Sequence, residues 1–311
     1  MTTTSLTQAT APTGGRRSRR ARRDWRGWAF VAPFMIVFAA MIIAPVVYAI
    51  YLSLFRQQLI GGNAFVGLGN YLAVLQDGKF WDSLGRVVLF LLVQVPVMLV
   101  LSLVAALALD SARLHGAGFF RIALFLPYAV PGVVAALIWG FIYGDQFGLT
   151  ASLNQLLGTN LAPLSGQWVL ASIGNIVTWE FVGYNMLIFY AALRVIPNEL
   201  YEAAEIDGAG AFRTVFSIKL PAIRGAIVIA TIFSIIGSFQ LFSEPKLLYE
   251  IAPNAIGTSF SPNLYAYNLA FTNQDMNYSA AIAFLLGFMI MIVSYVVQLS
   301  TARREKKGAR R

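Results

Sequence analysis

The sequence predicts an all-α integral membrane protein with six transmembrane helices and both termini in the cytoplasm. Hydrophobic residues make up 58% of the 311 residues and charged residues only 12%, about half the charged share of a soluble domain. The apolar residues also come in six runs separated by charged or loop-like residues. A helix that crosses a bilayer needs about 20 such residues, whereas a spanning strand needs about 10 of alternating polarity. Helices are therefore the expected form.

The six runs divide the chain into a membrane domain and two tails. We expect the spans at about 28–55, 87–109, 122–144, 168–193, 225–242 and 279–300. The transmembrane domain then covers 28–300. Before it lies a basic tail, 1–27, expected to be disordered, and after it a second basic tail, 301–311. Prolines inside the runs are acceptable when neighbouring helices or side chains satisfy the freed carbonyl groups.

The distribution of Lys and Arg predicts the orientation. With the N-terminus inside, the inside segments hold 19 of the 23 basic residues and the outside segments hold four. The positive-inside rule then places both termini in the cytoplasm. The net charge of +9 is thus explained at the membrane edges, and we expect no nucleic-acid partner.

The sequence lacks the motifs of several enzyme classes. There is no G-x-x-x-x-G-K-[ST] loop, so the chain itself is not expected to hydrolyse ATP. The sequence has one His and no Cys, which excludes a multi-His or thiolate metal site. No catalytic residues, no metal and no cofactor in this chain are expected.

The longest inside loop, residues 194–224, has a helical pattern of its own. Asn198 is a good helix N-cap, and acidic residues follow it in the first turns, where the helix dipole favours them. Asp207-Gly208 signals a turn, and a second helix over about 211–219 places Phe212, Val215 and Phe216 on one face. Pro221 is expected to end it. The loop is thus predicted to be a helix-turn-helix between spans 4 and 5.

The spacing in this loop resembles a known family. Glu202-Ala203-Ala204, Gly208 and the Ile218, Leu220, Pro221 end reproduce the EAA loop of bacterial ABC-importer permeases. "FVGLGNY", "FFRIALFLPYAVPGVVAALIW" and "NLAF" with "YSAAIAF" are similar to the carbohydrate-uptake branch, and to its permease subunit of the maltose-transporter F type. The resemblance covers roughly 28–300. It departs at about 248–262, which lacks a Thr-Gly-Gly-Pro-like turn.

The resemblance implies a function and a set of partners. It implies the permease subunit of an ATP-driven, binding-protein-dependent sugar importer in the bacterial cell membrane. The partners would be a second, homologous permease, an ATPase dimer that binds ATP and Mg, an extracytoplasmic solute-binding protein and a mono- or oligosaccharide. The residues implied in ATPase coupling are Glu202, Ala203, Ala204, Asp207, Gly208, Ile218, Leu220 and Pro221.

Polar residues on spans 4 and 5 are the candidates for the substrate path. Glu180 is the one ionisable residue inside a predicted span, and such residues are costly in lipid unless they face a cavity or a partner. Aromatic and hydrogen-bonding side chains suit a sugar. The candidates are Glu180, Tyr184, Asn185, Ser234, Ser238 and Gln240. Glu180 held by a neighbouring helix or by the partner permease is an equal reading. A proton-coupled secondary transporter that uses Glu180 is the alternative function, and a structural membrane scaffold without transport is a third.

Overall fold

The computed structural model describes residues 25–58, 62–111 and 114–308, and the side chains of 28–58, 62–111 and 114–300. The predicted tail 1–27 therefore lies almost entirely outside the described residues. The chain divides into two compact units, one ending at Tyr48 and one beginning at Ala49.

The first unit is a helix with a wide turn in its middle. Helix α1 (Trp25–Phe38) passes into a π-helical turn (Ala39–Ile43) and then into α2 (Ala44–Ser53). Pro45 has no N–H to donate, and just before it the Ala44 N–H reaches back five residues to the Ala39 carbonyl. A π-turn of this kind lets a proline sit inside a continuing helix. Most side chains here are apolar and exposed, for example Phe30, as expected for contact with lipid.

The second unit holds a strand pair and thirteen further helices, α3 to α15, in the part of the chain that is described. In order, its elements are β1 (Phe55–Gln58), β2 (Gly62–Phe65), α3 (Gly69–Gln76), α4 (Gly78–Asp110), α5 (Ala117–Phe125), α6 (Gly132–Ile142), α7 (Leu149–Leu157), α8 (Val169–Leu193), α9 (Asn198–Ile206), α10 (Ala211–Thr214), α11 (Leu220–Ala222), α12 (Arg224–Phe239), α13 (Ser243–Tyr249), α14 (Pro262–Tyr267) and α15 (Met276–Gly308). A 3₁₀ turn (Leu126–Ala129) lies before α6, and π-turns occupy Val215–Lys219 and Asn268–Thr272.

Strands β1 and β2 correct the all-α prediction. They pair antiparallel, with Phe55 opposite Phe65, and the two rings make an edge-to-face contact at 5.3 Å. The Asn70 side chain donates to the Ser53 and Phe55 carbonyls and accepts from Arg56. The first helix therefore ends at Ser53, two residues before the predicted limit. A hairpin this short has too few alternating residues to be recognised in sequence.

The described residues hold five or six membrane-length helices, against the six that the sequence predicts. Five helical segments are long and apolar enough to cross a bilayer: Trp28–Ser53, Gly78–Asp110, Val169–Leu193, Arg224–Tyr249 and Met276–Ser300. A sixth exists if Ala117–Ala129 and Gly132–Ile142 count as one span. The second begins nine residues before its predicted start, because the Asp77 side chain caps it by accepting from the Lys79 N–H.

The predicted third span is not one straight helix. Its two halves are bent by 96°. Between them Val130 is extended, with ψ of 129°, and Pro131 follows with ψ of 130°. A residue before proline is driven out of the α region by the proline ring, and the proline has no N–H for the helix ladder. The break is therefore placed by Pro131.

The long helix α4 is the centre of the packing in this unit. It packs most extensively against α8 and also against α12. One face, including Phe90, Met98 and Ala106, is buried, while Val93 and Val100 on another face are exposed. A helix that buries one stripe against protein and leaves an apolar stripe outside is what a membrane protein requires, since lipid solvates the second stripe.

A carboxylate ties together three segments near the start of α4. Asp77 Oδ2 accepts hydrogen bonds from Tyr265 Oη at 2.7 Å and Tyr278 Oη at 2.9 Å. Burial acts to raise the pKa of Asp77, but these two bonds, with backbone bonds from Lys79 and Phe80, outweigh it and leave the pKa below its usual range. The ionised carboxylate thus joins α14 and α15 to the N-terminus of α4.

Candidate functional site

A central cavity of about 440 Å³ lies between α4, α8, α12 and α13. Five of the six predicted substrate-path residues line it: Tyr184, Asn185, Ser234, Ser238 and Gln240. They come from α8 and from α12 with the residue that follows it, and the structure brings them to one cavity. Their roles remain a prediction, but their common location is the one that a shared ligand site requires.

The lining combines aromatic faces with hydrogen-bonding groups. Tyr128 stacks on Tyr184 with ring centroids 4.7 Å apart. Asn185 donates to the Phe181 carbonyl, and Ser238 donates to the Ser234 carbonyl, so several polar groups are held in fixed positions. Such a surface can stack on the apolar face of a sugar ring while amide and hydroxyl groups meet its hydroxyls.

Close helix contact sets the position of this wall. Gly183 of α8 lies against the Leu124 carbonyl of α5, and a Cβ at residue 183 would stand 1.8 Å from that oxygen. Only glycine permits this approach. The neighbouring Tyr184 and Asn185 are placed in the cavity by the same contact.

Glu180 does not line the cavity. It is 7% exposed and lies beside Gly132, where an added Cβ would stand 3.4 Å from Glu180 Oε1. Glu180 is thus surrounded by neighbouring helices in the described residues, and its role in the substrate path stays a prediction.

Several lining residues were not predicted from the sequence. Phe90, Gln94 and Met98 come from α4, Tyr128 from the turn before α6, and Glu244 from α13. The α4 residues follow helical spacing, and the polar residues Gln94 and Ser102 inside this apolar run, both buried against α8, were the signal that could have marked its inner face. Glu244 follows the fifth apolar run directly and was counted with the outside loop.

The loop 194–224 is folded into short helices. Helix α9 begins at Asn198 with Pro197 in the cap position, so the predicted Asn198 cap was wrong by one residue. The second helical segment runs through α10, the π-turn and α11 to Ala222. Pro221 therefore does not end it. Proline is compatible with the first turn of a helix, where its missing N–H is not needed.

The turn after α9 is a Schellman motif. The Ala209 N–H donates to the Ala204 carbonyl at 2.8 Å and the Gly208 N–H to the Glu205 carbonyl at 3.0 Å. Gly208 has a φ of 69°, the left-handed conformation that this motif places on its glycine. The predicted Asp207-Gly208 turn thus has a specific conformational need for glycine.

The predicted coupling residues differ in exposure. Glu202, Ala203, Asp207, Gly208 and Pro221 are exposed, Ile218 and Leu220 are half-buried, and Ala204 is buried. Large apolar side chains stand out beside them, since Ile206 is 86% exposed, Phe212 84% and Phe216 65%. We call the exposed set Ile206, Phe212 and Phe216 the loop apolar surface. Ile206 was not predicted to belong to it.

An ion pair joins the loop to α4. Lys219 Nζ contacts Asp110 Oδ2 at 2.6 Å, with side chains 15% and 7% exposed. The same ammonium group lies 5.2 Å from the centre of the Tyr201 ring, which links α9 to the pair. Burial, followed by the negative charge of Asp110, raises the pKa of Tyr201. The two helical segments of the loop therefore share one anchor at the end of α4.

No described part of the chain contains a cluster of His, Cys, Asp or Glu that could hold a metal ion. This agrees with the residue types available, since the sequence has no Cys and one His.

Comparison with known proteins gives the family. Residues 66–307 match the family described as the binding-protein-dependent transport system inner membrane component. The lactose transport system permease protein LacF of Rhizobium radiobacter is 31% identical over 90% of this chain and 94% of its own length. The arabinooligosaccharides transport system permease protein AraP of Bacillus subtilis is 31% identical over 86% of each chain.

A solved structure has the same fold. A chain in the crystal structure of a bacterial alginate ABC transporter, in complex with an alginate pentasaccharide-bound periplasmic protein, superposes with a TM-score of 0.79. The alignment covers 90% of this chain and 95% of that one, at 18% identity. The membrane-length helices, the length of the family match and the two relatives agree: this chain belongs to the family of inner membrane components of binding-protein-dependent transport systems.

Proposed function

We propose that the chain is the permease subunit of an ATP-driven sugar importer and forms half of its translocation path. It would work with a second, homologous permease, two copies of an ATPase that binds ATP and Mg, and an extracytoplasmic solute-binding protein. The observation that carries the proposal is the pairing of a polar, aromatic-lined cavity with a helical loop that exposes a large apolar surface. The relatives LacF and AraP are named for lactose and arabinooligosaccharide transport, which supports a sugar.

The loop is proposed to be the contact with the ATPase. Exposed aromatic side chains on a loop predicted to lie in the cytoplasm need a protein partner, because lipid does not cover them there. Ala203 and Gly208 beside them permit close approach. The Schellman turn fixes the angle between the two helical segments, so that both can be presented to one cleft.

The ion pair at Lys219 offers a route from the ATPase to the cavity. ATP binding would close the ATPase dimer and move the loop, and the Lys219–Asp110 pair would carry that movement to α4. Helix α4 supplies Phe90, Gln94 and Met98 to the cavity wall. For this to change the conformation of the permease pair, the two ATPase states must bind the loop with different affinity.

The proton-coupled alternative gains no support. Glu180 is buried against neighbouring helices instead of lining the cavity, and the family assigned above uses a binding protein. A proton-driven carrier would also leave the loop apolar surface unexplained.

Uptake by reconstituted vesicles tests the proposal. Vesicles that hold the permease pair and the ATPase, with binding protein added, should accumulate sugar when ATP is inside. Glu202→Lys and Gly208→Asp should abolish uptake. The variant complexes can assemble and still hydrolyse ATP, but no sugar should enter the vesicles. Glu250→Gln, which changes an exposed carboxylate on another part of the chain, is the control. Uptake driven by a pH gradient without ATP would contradict the proposal.

A further inference from the structure

The cavity wall carries one charged side chain, and it is acidic. Among the described residues that line the cavity, Glu244 is the only one that is charged, and none is Lys, Arg or His. Glu244 lies in the first turn of α13 and is partly buried. The other polar groups there are neutral amides and hydroxyls, such as Gln94, Asn185 and Ser234.

A second carboxylate lies behind this wall. Glu180 is buried in α8, the helix that supplies Tyr184 and Asn185 to the wall. In the part of the chain that the structure describes, neither Glu244 nor Glu180 has an ion-pair partner. A negative charge on either carboxylate is therefore not neutralised by an ion pair there.

Lys246, the basic residue of helix α13, makes its contacts outside the cavity. Lys246 lies 3.7 Å from the Glu250 carboxylate and stands over the Tyr267 and Tyr249 rings at 5.7 and 5.9 Å. It does not line the cavity. An anion in the cavity would therefore meet a carboxylate and, among the described residues, no cation.

The physical cost of such an arrangement is large. A charged group that leaves water needs a partner of opposite sign or several hydrogen-bond donors, and otherwise loses its hydration without compensation. Protonation of Glu244 would remove its negative charge, but the wall would still have no positive side chain to pair with a phosphate or carboxylate group of a substrate. A neutral hydroxyl group, in contrast, can donate to a glutamate and accept from an amide.

We propose that Glu244 is a specificity-determining residue that excludes anionic solutes, so that the transported substrate is a neutral, hydroxyl-rich saccharide. Sugar phosphates, including glycerol-3-phosphate, and sugars that carry carboxylates are the excluded class. The inference rests on the proposed transport function, because it assumes that substrate passes through this cavity.

The test must bypass the solute-binding protein, which selects ligands by itself. The assembled permease pair with its ATPase, in lipid nanodiscs without binding protein, is titrated with lactose, trehalose and cellobiose and with the 6-carboxylate analogue of each. Saturation-transfer NMR detects such weak binding. The readout is the ratio of the dissociation constant of each carboxylate analogue to that of its neutral sugar. A variant that weakens the binding of both ligands equally leaves this ratio unchanged.

The wild-type complex should bind the neutral sugar at least about tenfold more tightly than its carboxylate, which corresponds to about 1.4 kcal/mol. Glu244→Gln should bring the ratio towards one, and Glu244→Lys, which supplies the missing cation, should reverse it. Asp145→Asn, which neutralises an exposed carboxylate outside the cavity, should leave the wild-type ratio.

Two results would overturn the inference alone: a wild-type ratio near one, or a ratio that Glu244→Gln and Glu244→Lys leave unchanged. A different result would contradict the proposed function itself. If no neutral sugar binds and no sugar is taken up with ATP in the vesicle assay, the cavity is not a sugar path and both proposals fail together.

Discussion

The cavity and the loop 194–224 are built by different kinds of interaction. The cavity wall depends on long-range packing, for example the contact of Gly183 with the Leu124 backbone. The loop depends on local signals, such as the Schellman turn at Gly208, and on long-range contacts, such as the Lys219–Asp110 pair and the buried Ile223. In the first region the glycine contact leaves no room for a side chain, so it fixes the distance between α5 and α8. The second region is joined to the membrane helices by its two ends and by the ion pair.

This difference predicts a large effect at Gly183. A methyl group there would overlap the Leu124 carbonyl, so Gly183→Ala must separate α8 from α5. We expect a loss of about 3 kcal/mol, at the upper end for overpacking, seen as a lower melting temperature of the purified protein. Gly174→Ala on the same helix is the control, because its Cβ would meet Gln94 at an ordinary 3.6 Å. Equal melting temperatures for both variants would contradict the packing account.

The anchor of the loop should give the next largest effect. Lys219→Met leaves Asp110 buried without its cation, and the loss should approach 3 kcal/mol, the lower range for a broken buried pair. Hydrogen exchange should rise across α9 to α11 while the cavity helices stay protected. The double variant Asp110→Leu with Lys219→Met should be less damaged than either single variant, since it leaves no charge unpaired. Additive losses would argue against a direct pair.

The turn at Gly208 should give a smaller and local effect. Gly208 has a φ of 69° with open space around it, so Gly208→Ala adds strain and no clash. The cost of the left-handed conformation is about 1–2 kcal/mol. Gly210→Ala is the matched control, because Gly210 has a φ of −67° and equally open surroundings. Faster hydrogen exchange in α9 is expected for the first variant and not for the second.

The smallest effect on stability is expected from the protonation of Asp77 at low pH. Its pKa is lower in the folded protein than the unfolded value of about 3.9, so the ionised form stabilises the fold above that pH. This contribution is lost as the pH falls below about 3.9 towards the folded pKa. Asp77→Asn should remove that part of the acid dependence of the melting temperature. An unchanged slope between pH 5 and 3 in this variant would contradict the account.

The same difference explains what the sequence could predict. The loop was predicted in outline because caps, turns and residue spacing are local, and its errors were single-residue ones at Asn198 and Pro221. The polar cavity residues on α8 and α12 were predicted because polarity in an apolar helix is conspicuous. The α4 side of the cavity, Glu244 and the Lys219–Asp110 pair depend on contacts between distant segments, which periodicity does not report. The bend at Pro131 had a local signal, but its 96° angle is set by packing.

The claim that the loop is the contact with an ATPase can be tested by labelling. The chain has no cysteine, so a single Ala203→Cys places one thiol on the exposed face of α9, and Phe147→Cys places one on an exposed site elsewhere. Binding of the ATPase should slow maleimide labelling at residue 203 by at least about tenfold and leave residue 147 unchanged. Equal labelling at residue 203 with and without the bound ATPase would contradict the account.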